Sequence, residues 1–190
     1  HRDIKPANLF VTRKGVEFDF LKVLDFGLVK RWHGPEGEDP ARSLASLRSA
    51  EQTMAGQIVG TPAFLAPEAV VGRDGVDHRA DLYALGCVSY WLLTGSMVFD
   101  DQTPFEMVIS HVTKTPPALS SRTERPIAPE LERITLQCLA KDRDQRPASA
   151  QELRELLGRV PLPEPWTRER GARWWLEHRA ALAAAPGDAR

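Results

Sequence analysis

Apolar residues recur along this chain in more than one rhythm. Near the start, Leu9-Phe10-Val11-Thr12 and Leu21-Lys22-Val23-Leu24 are short apolar runs on either side of a Lys14-Gly15 turn signal, which predicts two strands of a hairpin. The loop between those runs is a little long, and Glu17-Phe18-Asp19-Phe20 fits as part of the second strand. From Leu28 to Leu65 the rhythm is lost. Trp32 to Pro40 is turn-rich and acidic, Ser43, Ser46, Ser49 and Thr53 follow, and the segment reads as a long loop with at most a short helix near 41–50. Long loops inside compact domains usually serve function or stay disordered.

Helical spacing takes over beyond that loop. Asp77 is placed to cap a helix through Ala80, Leu82, Leu85, Val88, Trp91 and Leu92, and Gly95 is a suitable stop. This helix is apolar almost all round, which predicts burial in the middle of a domain. Its embedded acid, Asp81, is costly to bury without hydrogen bonds, so partners for it are expected. Thr103-Pro104-Phe105-Glu106 and Ser149-Ala150-Gln151-Glu152 carry capping-box order at two further helix starts, and Pro129-Glu130-Leu131 opens a helix through Ile134, Leu136 and Leu139. Pro161 to Pro165 reads as a stiff connector. Thr167 to about Ala184 fits one more helix, Arg-rich and carrying Trp174-Trp175-Leu176. We expect it to dock on the domain and hide those tryptophans; the alternative is a helix for a partner or a membrane surface. The fold class is therefore α+β, mainly helical, with a small β-hairpin.

Composition narrows the picture without changing it. At 190 residues, 42% hydrophobic and 27% charged, the chain suits one globular core. A net charge of −1 offers no electrostatic case for nucleic acid. No apolar run reaches the roughly 18–20 residues of a membrane span. Cys87 and Cys138 lie far apart in apolar helical patterns and read as reduced core residues, which suits a cytoplasmic setting. The histidines show no metal-ligand spacing, and no Ser/His/Asp arrangement stands out. With neither an initiator Met nor a signal peptide, the chain is expected to be a piece of a longer one.

Candidate chemistry gathers at the beginning. His1-Arg2-Asp3-Ile4-Lys5-Pro6-Ala7-Asn8 fits the pattern H-R-D-x-x-x-x-N, and Asp25-Phe26-Gly27 and Ala66-Pro67-Glu68 follow it in order. Each motif alone is weak, but three spaced motifs in sequence are specific. On these residues the chain resembles the C-terminal lobe of the protein Ser/Thr kinase family, from His1 to about Leu157. The wording Val23 to Lys30 and Gly60 to Glu68 is similar to eukaryotic-type kinases of bacteria. The resemblance implies a partial protein kinase domain over 1–157, with a Pro-rich connector and helix over 158–190.

It also implies roles. Asp3 matches the catalytic carboxylate that accepts or orients the proton of the acceptor hydroxyl, and Lys5 approaches the transferred phosphate of ATP. Asn8 and Asp25 match the ligands of Mg2+ bridging the phosphates of ATP. Thr61 is implied to bond toward Asp3 and Lys5, Pro62 to Leu65 to form part of the peptide-substrate floor, Glu68 to pair with Arg146, and Asp81 to meet the backbone of the catalytic loop. Arg2 beside Asp3 resembles kinases switched on by loop phosphorylation, with Thr53 as first acceptor and Ser49 next. The implied partners are protein substrates, ATP and a second copy of the chain, as a homodimer formed for autophosphorylation; the tail's partner stays open. The implied setting is cytoplasmic, with membrane anchorage left open for the full-length protein.

The Gly-rich loop, strand Lys and helix Glu of the family would all precede His1, so an N-lobe is absent from this stretch. Alone, it is expected to be inactive and to expose apolar surface. Two rivals stand beside this reading. A non-catalytic scaffold built on a kinase remnant is opposed by intact Asp3, Lys5, Asn8 and Asp25. A small-molecule phosphotransferase is opposed by the activation-segment and A-P-E match.

Overall fold

The computed structural model describes residues 1–15, 17–25, 62–71 and 76–184, with side chains as far as 178. The expected helix near 41–50, Phe26-Gly27, the expected phosphoacceptors Thr53 and Ser49, and Thr61 lie outside the described residues.

Strands β1 (Leu9–Lys14) and β2 (Glu17–Val23) form the expected antiparallel hairpin, with Leu9 opposite Val23 and Val11 opposite Leu21. Both strands outrun the apolar runs that signalled them, and Glu17 to Phe20 does belong to β2. The ladder slips between Thr12 and Lys14, and near that slip Asp19 takes a φ of 59°. That is the left-handed region, which residues other than glycine seldom adopt.

The α-helices among the described residues are α1 (Pro67–Val70), α2 (Arg79–Thr94), α3 (Pro104–Thr113), α4 (Pro129–Cys138), α5 (Ala150–Gly158) and α6 (Arg168–Ala184), joined by loops and short 3-10 turns. Helix α2 is the hub. Tyr83, Cys87 and Tyr90 on it are fully buried together with Val98, Leu119 and Leu139. Leu82 joins a second cluster with Ile134, Cys138 and Leu153, which fastens α4 and α5 to the same helix. The approach of α4 requires a glycine: a Cβ at position 86 would stand 2.8 Å from Cys138 Cβ. Burial is not complete all round α2, however, since Leu92 is 69% exposed.

Helix starts follow the capping signals with two differences. At α3 the box is reciprocal: Glu106 N donates to Thr103 Oγ1 at 3.1 Å and Thr103 N to Glu106 Oε2 at 3.0 Å. At α5 Ser149 caps Glu152 N, but the Glu152 carboxylate accepts from Ala148 N at 2.7 Å instead of from Ser149. At α2 the residue before the helix is His78, already helical in conformation. Asp77 acts from one place earlier, accepting Arg79 N–H at 2.9 Å and the Arg79 guanidinium. The bond from that guanidinium holds the Asp77 carboxyl well below the usual carboxylate range.

The last helix docks, but not in the expected way. It lies against β2, and the Trp166 and Trp175 indoles donate to Asp19 at 2.6 and 2.7 Å. The tryptophans are not hidden as a group, because Trp166 stays 53% and Trp174 36% exposed.

Candidate active site

The first residues are held by backbone geometry fixed from below. Asp81, in the first turn of α2, points its carboxylate at the main chain of the opening segment. It accepts from the main-chain nitrogens of His1 and Arg2, each at 2.7 Å. Those bonds are the partners that a partly buried acid requires, and they are charge-assisted and therefore strong. Arg2 sits at φ 69° under this hold. Such strained residues persist where surrounding contacts over-determine them.

A second tie joins the opening segment to the far end of the hairpin. His1 Nε2–H donates to the Leu24 carbonyl at 2.9 Å, and Leu24 N donates to the Asn8 carbonyl at 2.8 Å. With Asp3 N–H reaching His1 Nδ1 at 3.4 Å, the imidazole tautomer is assigned by its two neighbours. Asp25 therefore follows directly on a residue pinned to both His1 and Asn8. Sequence reasoning assigned the His1 ring no role; its place in H-R-D was the available signal.

Asp3, Lys5 and Asn8 form one cluster. Pro6 suits the first position of the short 3-10 turn Pro6–Asn8, which brings the Asn8 side chain back over Asp3. Asn8 is 5% exposed, and its Nδ2 donates to the Asp3 carbonyl at 2.8 Å and to Asp3 Oδ2 at 2.9 Å. Lys5 Nζ lies 2.8 Å from the same Oδ2. Two donors thus hold one carboxylate oxygen of Asp3, and the other oxygen is left to meet an incoming group.

The donor set fits Mg2+ with phosphate. Asn8 spends both amide hydrogens on Asp3, so its carbonyl oxygen is available as a hard ligand. Asp25, at φ 54°, is exposed, and among the described residues its carboxylate has no ion-pair partner. Among those residues, too, no group of three His, Cys, Asp or Glu is arranged as a metal cage. Mg2+ binds in this way, through one or two protein oxygens with phosphate and water completing the shell.

Below the cluster lies a buried polar base. Glu68 and Arg146 form the expected pair, bidentate at 2.7 and 2.8 Å, with side-chain exposures of 6% and 0%. Arg146 also donates to the carbonyls of Ala140 and Arg79, at 2.9 Å each. Beside it Tyr83 Oη donates to His111 Nδ1 at 2.9 Å, and Lys141 Nζ donates to the His111 carbonyl at 2.7 Å. Burial, then the nearby Lys141 ammonium, push His111 down to about 4; burial likewise lowers Lys141 to about 8. The 3-10 turn Pro62–Phe64, with Ala63 and Phe64 buried, packs on α2 and α3 beside this network. Sequence reasoning missed the network, because His111, Tyr83 and Lys141 each look ordinary in their own helix or loop.

Comparison with known proteins identifies the family. Residues 1–156 match the family model described as "Protein kinase domain". The chain is 42% identical over 164 residues to serine/threonine-protein kinase Pkn1 of Myxococcus xanthus, covering 86% of this chain and 21% of that protein. It is 38% identical over 152 residues to serine/threonine-protein kinase pkn3 of the same organism, covering 80% and 26%. Serine/threonine-protein kinase PknB of Mycobacterium leprae is 37% identical over 165 residues, covering 87% and 23%. The chain thus spans between a fifth and about a quarter of the length of these curated relatives.

Proposed function

The chain belongs to the protein kinase domain family, and from that premise we propose that it supplies the C-terminal lobe of a protein serine/threonine kinase. Its proposed reaction is transfer of the ATP γ-phosphate to Ser and Thr hydroxyls of proteins, and ATP and Mg2+ are its proposed cofactors. The observation that carries the reading is the Asp3–Lys5–Asn8 cluster with Asp25 tied beside it.

Asp3 is the proposed catalytic carboxylate: Lys5 and Asn8 fix one oxygen, and the other orients the acceptor hydroxyl and holds its proton. Lys5 adds a point charge where negative charge develops on the moving phosphoryl group. Asn8 and Asp25 are the proposed ligands for Mg2+, which when bound neutralises phosphate charge and aligns the donor. Pro62 to Leu65, in which Pro62 and Leu65 are only half-buried, is proposed to form part of the peptide floor. Exposed apolar side chains on the hairpin, among them Phe10 at 57% and Leu21 at 52%, support the lobe assignment, since such a face suits packing against further parts of a kinase domain. ATP as donor and buried thiols at Cys87 and Cys138 support a cytoplasmic setting. Protein substrates include, on this proposal, a second copy of the chain.

The test is γ-phosphate transfer to protein acceptors by the protein expressed from its complete reading frame. Asp3→Asn is expected to slow transfer by about 10²–10⁴-fold while leaving the unfolding midpoint in place. A variant as fast as the parent, or a parent that phosphorylates small molecules and no protein, would overturn the reading.

A further inference from the structure

Residues beyond the family match make the best-defined contact with the catalytic hairpin. The match ends at 156, whereas Trp166 Nε1 donates to Asp19 Oδ2 at 2.6 Å and Trp175 Nε1 to Asp19 Oδ1 at 2.7 Å. Both oxygens of one carboxylate are therefore taken by two indoles that lie on either side of the first turns of α6. Gly171, between them, is buried, and a Cβ there would stand 2.9 Å from Asp19 Oδ2. A side chain there would have to push the Asp19 carboxylate out of the place in which the two indoles hold it. Arg170 braces the arrangement: it lies 5.7 Å over the Trp166 ring and donates to the carbonyls of Glu164 and Pro165. Asp19 itself is turned to φ 59° to present the carboxylate.

A two-stranded hairpin is at best marginally stable by itself and needs a packing partner. Here no residue of β1 or β2 with a described side chain is buried, and α6 is the helix that packs on β2. The same hairpin begins just after Asn8 and ends just before Leu24 and Asp25, with Leu24 N bonded to the Asn8 carbonyl. Anything that firms the strands also holds the two proposed metal ligands in register.

We propose that residues 161–184 are a built-in clamp on the catalytic hairpin, and that Asp19 is a positioning residue which, through the Trp166 and Trp175 indoles, keeps Asn8 and Asp25 at a fixed separation. The positioning role rests on the kinase reading above; the clamp does not. It acts at a distance, along the ladder, and touches neither substrate nor metal.

The experiment compares the full-length protein with Asp19→Asn and with the double variant Trp166→Phe/Trp175→Phe, which keeps the rings and removes the donors. Two quantities are read: backbone amide exchange over 9–14 and 17–23, and the Mg2+ concentration giving half-maximal phosphotransfer. Exchange is expected to quicken by about tenfold or more in the hairpin and to stay unchanged in α2 and α4. The Mg2+ requirement is expected to rise several-fold, while the rate at saturating Mg2+ stays near the parent's. Gly171→Val, which pushes α6 off by bulk, is expected to give the same signature. Unchanged hairpin exchange overturns the clamp. Faster exchange with an unmoved Mg2+ requirement overturns the positioning role and leaves a structural contact. If the parent transfers no phosphate, the kinase reading fails with the positioning role, and the exchange data still decide the clamp.

Discussion

Around the Glu68–Arg146 pair nearly every neighbouring side chain is packed, whereas between His1 and Asp25 Asn8 is the one buried residue among those described. The base is a core in the ordinary sense, with Tyr83, Tyr90 and Leu139 wholly enclosed and a polar network threaded through it. The face proposed to be catalytic is a ribbon and a loop held by a handful of directional bonds: Asp81 from below, His1 across to Leu24, Asp19 out to α6. All three described non-glycine residues with positive φ, Arg2, Asp19 and Asp25, lie on that face. Packing holds atoms that never change neighbours. Atoms that, on the proposed reading, exchange water, metal, phosphate and hydroxyl cannot be packed in, so their place is fixed by directional hydrogen bonds.

The contrast is broken most forcefully at the base. Arg146→Ala leaves the Glu68 carboxylate buried without its partner and strips donors from two carbonyls. It should cost about 3–5 kcal/mol, read as a lower urea midpoint at unchanged slope. A loss below about 1 kcal/mol would mean that the base is less rigid than its burial implies.

Acid probes the same region without mutation. The His111 imidazole titrates at about 4 when folded against 6.5 when free, so between those values the unfolded chain binds a proton that the folded chain refuses. Stability should therefore fall as pH drops from about 6.5 toward 4, by up to about 3 kcal/mol, and this group should add no slope above 6.5. His111→Phe should flatten that part of the profile, as measured by denaturation at a series of pH values.

The smallest expected shift in stability comes where the two regions meet. Asp81→Asn removes the charge from an acceptor of two main-chain nitrogens and should cost about 1–3 kcal/mol. Its signature is a phosphotransfer rate that falls further than the loss of folded protein explains. A rate that merely tracks the folded fraction would show that the face needs no anchor of its own.

Much of both regions is legible in the amino-acid sequence alone. The Thr103 box and the Gly95 stop follow from it because a helix end has a local signature, and the pairing of Glu68 with Arg146 and the reach of Asp81 to the opening loop are implied through the family resemblance that the motifs carry. Asp19 has none. Its partners lie 147 and 156 residues away, and an acid among Phe residues in a strand looks like an outward-facing position. The network of His111, Tyr83 and Lys141 is hidden for the same reason, since it exists only once three separate segments meet. The Glu152 side chain shows a finer limit: the capping pattern marks the helix start, yet the neighbouring Ala148 N–H supplies its second bond.

One consequence of the Asp81 anchor concerns tolerance to change. It grips nitrogen atoms of the main chain, which every residue but proline offers with a hydrogen, and so it is indifferent to which side chains positions 1 and 2 carry. The loop's attachment and the loop's chemistry are thereby written in separate alphabets. Exchanging the side chain at position 2 leaves this attachment in place, and exchanging that at position 1 removes only the separate imidazole tie to Leu24, whereas position 81 has no such freedom.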